Sequence, residues 1–496
     1  MERMAIEQDA AADSAAGPSE PDTGPVLAPI ADFPRIDLRV GVESWDKRRQ
    51  AGKSLRDAVP HRAQGECADD PDRPDPIALI EAAHDGRQPH LVPLRVARMA
   101  TSPFAFLRGA AHVMAWDLSR GRRSGIDVVM NGDAHTDNFG LFGTPQQDIV
   151  LDLNDFDEVT IGPWEWDLKR LAAGLAIATA EAGASARDSR AAVIEAVCGY
   201  QQTMRRLAPQ GSLDIWYQTT RVDTPHISGL RLDAEARAVV RHAVDKARRR
   251  NNRSLLSQVA ERRTDGSWRL KTDAPILTPV DDATRESVVT GLERYAETLP
   301  RERRFMLDRY HVVDVAHRVV GVGSVGTRAY LALLFGNSDA DALFLQVKEA
   351  VRPAHAPYLP GMPDPYARHE GERVIYGQRL LQAVGDPLLG WTSIADRPFY
   401  VRQMKNLKGA IPLARMSGAS LLTFSYAYGT LLARAHARTG DAAAITGYCG
   451  SGKNDHLAAA IADWASAYAA RNAADFELFR AAIASGRLEA AEDPCL

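Results

Sequence analysis

Cysteine is scarce in this sequence: four among 496 residues, at Cys67, Cys198, Cys449 and Cys495, with no CxxC pair. Thiols so scattered exclude a disulfide-stapled scaffold and a structural zinc framework, and they suit a reducing, cytoplasmic setting. No run of about 18 apolar residues occurs, and the opening MERMAIEQDAAADSAAGPSEPDTGP lacks an apolar signal core, so neither a membrane span nor export is expected. An excess of positive charge is also missing. Lys and Arg number 60 against 64 Asp and Glu, and a formal net charge of −4 gives no global reason to expect a nucleic-acid partner. The 13 histidines supply no HExxH, and His112, His317 and His436 read as packing residues. GSGKN (450–454) and AGKSL (51–55) lack the GxxxxGK[ST] spacing of a phosphate-binding Walker loop, and the basic stretch KARRRNNRSLLSQVAERR lacks interleaved aromatics, so it reads as a solvated helix face.

What is present is a large core-forming chain, 45% hydrophobic and 25% charged, long enough for two or more domains. Residues 1–34 bury too little apolar surface to order and are expected to be a disordered tail. From Pro76 to Arg120 apolar residues recur every three or four positions, with breaks at Pro93 and Pro103, which predicts a helical region within 35–130. IDVVMNGDAHTDNFGLF and QDIVLDLNDFDEV are different: β-branched runs that end in polar clusters, the pattern of two strands joined by a turn. Helical periodicity resumes from Glu165 to about Gln258, and RRTDGSWRL carries an Asp-Gly hairpin signal. Strands are expected again from His311 to Lys348, then helices over GERVIYGQRLLQAV, LLTFSYAYGTLLARAHA and DHLAAAIADWASAYAA.

The two acidic clusters carry the chemistry. Asp133 and Asn138 sit on one turn, and Asp155 ends the next strand, so a hairpin return brings the three side chains together. Hard oxygen ligands in this number suit Mg²⁺, an ion commonly held by one or two carboxylates together with substrate phosphates. Asp and Asn are also ordinary turn formers.

GDAHTDN resembles the catalytic loop of the aminoglycoside phosphotransferase and choline kinase group, and NDFDEVTIGPWEWDLKRLA is similar to that group's following metal-motif block. The resemblance implies that Asp133 is the catalytic base, that Asn138 and Asp155 hold Mg²⁺, and that Asp167 braces the loop. It places His135 where protein kinases carry a lysine. Asn131 departs from the pattern, standing where the loop usually begins with His, so the bracing must differ.

A nucleotide-binding signature appears downstream instead of upstream. In VVGVGSVGTRAYLALLFGNSDADALFLQVKEA, Gly321, Gly323 and Gly326 fit GxGxxG, with Ser324 between them, and Lys348 stands like the lysine of a kinase Val-Ala-Ile-Lys strand. Glycines let backbone N–H groups approach phosphates, and a lysine neutralises them. Two strands and a turn follow the glycines in place of the helix that a dinucleotide-binding fold needs. The helix YGTLLARAHARTGD resembles the one that precedes the catalytic loop in the phosphotransferase group, yet it lies near the C-terminus. Together with PLRVARMATSPFAFLRGAA and FYVRQMKNLKG, the pattern resembles a bacterial domain-of-unknown-function family, number twenty-two fifty-two, placed in the kinase-like superfamily.

That resemblance implies an α+β, two-lobed kinase-like fold, circularly permuted and with extra helices. The catalytic region would span 131–310, the nucleotide-binding region 311–408, and 409–496 would complete the helical lobe. ATP and Mg²⁺ are the implied cofactors, with a small-molecule or protein hydroxyl as acceptor. Glu372, or its neighbour Glu370, is expected to pair with Lys348, backbone groups of about Gln403 to Lys405 to meet adenine at a hinge, and Asp157 to be a further metal ligand or a turn cap. Arg95, Arg98 and Arg108 suit a phosphorylated or acidic substrate, or else bracing ion pairs. Nucleotidyl transfer, nucleotide binding without turnover, and metal-dependent hydrolysis are the alternatives.

Overall fold

The computed structural model describes residues 41, 43–223, 226–227, 230–319, 321–359, 368–404, 407–413, 416–450 and 456–491. The expected tail at 1–34, Lys405, Cys495 and 451–454 lie outside them. Pro93 and Pro103, the expected breakpoints, stand in the first turns of helices α1 (Val92–Met99) and α2 (Pro103–Gly109). Proline is tolerated there because the missing N–H would have no intrahelical partner. Ser102 caps α2 by accepting from the Ala105 N–H at 3.1 Å.

The β-branched runs form β1 (Asp127–Met130), β2 (Phe139–Gly143) and β3 (Ile149–Leu153), and β4 (Thr160–Pro163) pairs antiparallel with β1. Strands β2 and β3 make a hairpin with Phe139 opposite Leu153, so the two acidic clusters meet at its open end. Helices α3 (Trp164–Glu181) and α4 (Ala186–Leu207) follow. Helix was expected to continue to about Gln258, but three two-residue strands interrupt it between Val222 and Arg231. Strands that short carry no readable periodicity. The Asp-Gly turn closes a small hairpin, Ala260–Arg262 against Trp268–Leu270.

A six-stranded antiparallel sheet comprises β5 (Leu277–Pro279), β6 (His311–Arg318), β7 (Ala329–Phe335), β8 (Ala342–Glu349), β9 (Gly390–Ile394) and β10 (Arg397–Gln403), in the order β5-β6-β7-β8-β10-β9. Helix α5 (Asp282–Glu297) covers one face, packing Val288 and Tyr295 near Tyr330 and Val347. Leu255 and Leu256 cover the other, near Leu331 and Phe344. With both faces covered, β7 and β8 are buried at every position, which is why AYLALLF and ALFLQVKE read as continuous apolar runs. The sheet thus takes its edge strand and both covers from residues upstream of 311.

Helix α6 (Glu370–Leu381) packs on β9 and β10, and β11 (Gly409–Ala410) pairs with β2, tying the sheet's exit to the β2–β3 hairpin. Helices α7 (Gly418–Thr439) and α8 (His456–Ala484) join α3 and α4 in the larger core, around Leu171, Val193, Tyr200, Leu431 and Ile461. Every strand pairing among the described residues is antiparallel, and the helices pack around these sheets, an α+β arrangement. Among the described residues no helix is long and apolar enough to cross a membrane.

Candidate active site

The 131–138 segment is held by its backbone. Gly132 has φ +80°, and a Cβ there would stand 2.0 Å from the Glu158 carbonyl oxygen, so only glycine fits. Asp167, in the first turn of α3, accepts the N–H groups of Asn131 and Gly132 at 2.6 and 2.9 Å. Asn131 adds bracing of its own. Its Nδ2 donates to the Asp155 carbonyl at 2.6 Å, and its Oδ1 accepts the Asp133 N–H at 3.3 Å. His436 of α7, fully buried, places Nε2 3.1 Å from Asp167 and Nδ1 2.9 Å from the Tyr200 hydroxyl. It was read as a packing residue from sequence; in the fold it is a polar brace from about 300 positions away.

Asp133 Oδ1 accepts from Arg170 Nε at 2.8 Å, and Oδ2 lies 3.4 Å from His135 Nε2. Burial alone would raise this carboxyl's pKa, but His135 and Arg170 reverse the effect and hold it well below the ordinary carboxylate range. The group is therefore ionised, a strong hydrogen-bond acceptor and a weak base. Arg170 lies three residues after Asp167 and on the same side of α3, a spacing that sets it beside the loop.

Asn138 uses its Nδ2 on the Asp133 carbonyl at 2.6 Å, which leaves its amide oxygen for another ligand. Asp155 Oδ1 is buried with no hydrogen-bond partner. A buried carboxylate oxygen without a donor is costly unless something cationic meets it. Asn138 and Asp155 therefore fit Mg²⁺ as an oxygen-ligand pair that phosphates and water would complete. Among the described residues no group of three or more His, Cys, Asp and Glu side chains is arranged to hold a metal by itself.

Lys348, 3% exposed near the end of β8, donates to Asp157 Oδ2. Burial opposes its charge, but Asp155 and Asp157 more than compensate and hold its pKa above the ordinary lysine value. Asp157 also accepts from the Tyr400 hydroxyl at 2.7 Å and the Ser324 hydroxyl at 2.9 Å. Protein donors thus occupy both oxygens of Asp157, and Asp155 is the carboxylate with an open one.

Residues 321–326 turn between β6 and β7. Gly326 needs its glycine, with φ +91°, and its carbonyl accepts the Gln88 N–H at 2.7 Å. A cavity of about 540 Å³ is lined on one side by Asp133, His135, Asn138 and Asp155, and on the other by Gly321, Gly323, Ser324 and Lys348. Asp133 and Lys348, 215 positions apart in sequence, thus face one space.

Two expected residues stand elsewhere. Glu372 does not reach Lys348, whose carboxylate partner is Asp157; burial alone raises the Glu372 pKa. Helix α6 reaches the site with Arg373 instead, which donates to the carbonyls of Asp157 at 2.9 Å and Val351 at 2.8 Å. Gln403 lines a separate small pocket and commits its backbone N–H to Asp386 at 2.6 Å. On that wall Arg402, Met404 and Lys408 face the main cavity, and burial, followed by Arg402, pushes the Lys408 pKa down to about 7.

Residues 87–482 match a family described as "Uncharacterized protein conserved in bacteria (DUF2252)". No curated protein and no solved structure matches the chain.

Proposed function

This chain belongs to the DUF2252 family, and we propose that it is an ATP- and Mg²⁺-dependent phosphotransferase with a kinase-like, circularly permuted fold. One observation carries the reading. Asp133, Asn138 and Asp155 line the same cavity as the 321–326 turn and Lys348, and Asp155 presents a buried oxygen that no protein donor satisfies. The order of elements supports it: a glycine turn between two strands, a third strand with a buried lysine, a helix, then two strands leading out, with the sheet order β6-β7-β8-β10-β9. A kinase nucleotide lobe has this order ahead of its catalytic loop; here it comes after. Such rearrangement is tolerated where new joins fall on the surface.

Lys348 and the glycine turn would bind the nucleotide phosphates, and Asn138 with Asp155 would hold the metal. Mg²⁺, when bound, neutralises charge on the phosphate oxygens. Asp133 would accept a hydrogen bond from the acceptor hydroxyl and align its oxygen on the γ-phosphorus. The acceptor oxygen forms a new P–O bond, the bond from the γ-phosphorus to the β,γ-bridging oxygen breaks, ADP leaves with that electron pair, and the hydroxyl proton passes to Asp133. Since Asp133 is a weak base, its role is chiefly alignment, in keeping with a reaction driven by positioning and charge stabilisation. Incubation of the full chain with Mg²⁺, ATP and a hydroxyl-metabolite panel, followed by mass analysis, should reveal a product heavier by one phosphoryl group. Transfer of AMP, nucleotide binding without turnover, or metal-dependent hydrolysis that needs no ATP would each overturn the proposal.

A further inference from the structure

The chemistry above leaves part of the cavity wall unexplained. Arg95, on α1, is 1% exposed and lines the cavity. Its Nη1 meets His84 Nε2 at 2.7 Å, its Nη2 donates to the Gly109 carbonyl, and its Nε is buried without a partner. Arg87 also lines the cavity, held by the carbonyls of Ala83 and Val325 at 2.8 and 2.6 Å. Neither guanidinium has a carboxylate partner among the described residues. Arg108 reaches Asp137 at 3.0 Å through Nη1 but leaves its own buried Nε unpaired. Burial, followed by Arg95 and Arg87, holds His112 down at about 4, so this neighbour is neutral and does not add to their charge at physiological pH.

Burying a charge without a counter-charge costs several kcal/mol, even after relaxation. Arg95 and Arg108 each keep a buried Nε without a partner, and Arg87 beside them is held by carbonyls alone, so the three form a binding surface for an anion, whose phosphate oxygens their fork geometry matches. Helix α2 indicates which substrate that anion belongs to. The Leu107 carbonyl accepts from Arg170 at 2.8 Å, and Arg170 in turn holds Asp133; the Gly109 carbonyl holds Arg95; Arg108 lies between them. One helical turn thus ties Arg95 and Arg108 to the residue that aligns the acceptor, while Arg87 borders the cavity from the Val325 side. Lys348, by contrast, belongs to the sheet.

We propose that Arg87, Arg95 and Arg108 form a second anion site, separate from the one Lys348 serves, which holds a phosphate group already carried by the acceptor. The substrate class is then a phosphorylated hydroxyl compound. Assigning the anion to the acceptor rests on the phosphotransferase reading; the existence of the site does not.

Inorganic phosphate is the probe, titrated calorimetrically into the full chain with and without saturating Mg²⁺ and a non-hydrolysable ATP analogue. Phosphate should bind in both conditions with affinities within about threefold, and Arg95→Met or Arg108→Met should weaken it tenfold or more. Arg487→Met, which alters an exposed arginine paired with Asp75 and Glu81, should leave it unchanged. Arg108, at 29% side-chain exposure, provides the test if Arg95→Met does not fold. Loss of phosphate binding when the analogue is present would assign the arginines to the nucleotide's own phosphates and overturn the proposal, as would absence of phosphate binding to the unaltered chain. If phosphate binds in an arginine-dependent way while the analogue does not bind at all, the anion site stands and the phosphotransferase reading falls. In turnover, phosphorylated hydroxyl compounds should exceed their unphosphorylated counterparts at least tenfold in kcat/KM; equal values would sink the acceptor assignment.

Discussion

Lys348, buried, and Asp157, partly buried, stand 191 positions apart and form an ion pair that joins the six-stranded sheet to the segment leaving the β2–β3 hairpin. Asp157 also binds Tyr400 of the sheet and Ser324 of the glycine turn, so one carboxylate gathers three elements around the cavity. Each partner also fixes the other's charge.

Removing one member of such a pair strands a charge, at a cost of about 3–5 kcal/mol. Lys348→Met and Asp157→Leu should each lose that much stability in urea unfolding, while the double variant should recover more than half of the summed loss. Strict additivity would show that the two side chains are not coupled.

Asp155→Asn should weaken Mg²⁺-dependent binding of ATP at least tenfold in a variant that still folds, with some loss of melting temperature because Asp155 also compensates the buried Lys348 charge. Calorimetric titration of ATP with Mg²⁺ checks this, and a folded variant with full affinity would refute the metal assignment.

Asp133→Ala should reduce turnover by about 10²–10⁴-fold, the usual contribution of a positioned acid–base residue, with ATP affinity changed only a few-fold. The kcat and Kd measured side by side decide it. Lost binding with an unchanged rate per bound complex would remove Asp133 from the acceptor side.

His355 is 4% exposed, and burial pushes its imidazole down to about 4. Between that value and the ordinary value of about 6.5 the unfolded chain binds a proton that the native chain does not. Its contribution to stability is therefore complete above about pH 6.5 and falls as the pH drops toward 4, by roughly 3 kcal/mol in all. His355→Gln should lose less stability than the unaltered chain between pH 7.5 and pH 4.5 in paired urea melts; parallel curves would mean that His355 titrates normally.

The local features were readable in the sequence because their causes are local. Asp265-Gly266 dictated a hairpin turn, the β-branched runs around 131–138 dictated strands ending in polar loops, and unbroken apolar stretches marked β7 and β8. Turn chemistry and strand periodicity act over a few residues. The three two-residue strands between Val222 and Arg231 were not readable for the same reason, being shorter than any period.

By itself, then, the sequence determined the identity and the local placement of the candidate groups: Asp133, Asn138 and Asp155 at strand ends, glycines at a turn, a lysine in an apolar strand. Which of them meet was decided only by the tertiary structure. Lys348 could have paired with Glu372 as far as spacing goes, yet Asp157 takes it, and Arg373 rather than Glu372 is what α6 extends toward the site. His436 carries no local mark of bracing Asp167, and the spacing that sets Arg170 on the same side of α3 as Asp167 does not say that it binds Asp133. These partnerships arise because buried charges must be compensated by whatever the packed chain brings near, and nearness across hundreds of residues is a property of the packing rather than of the local sequence.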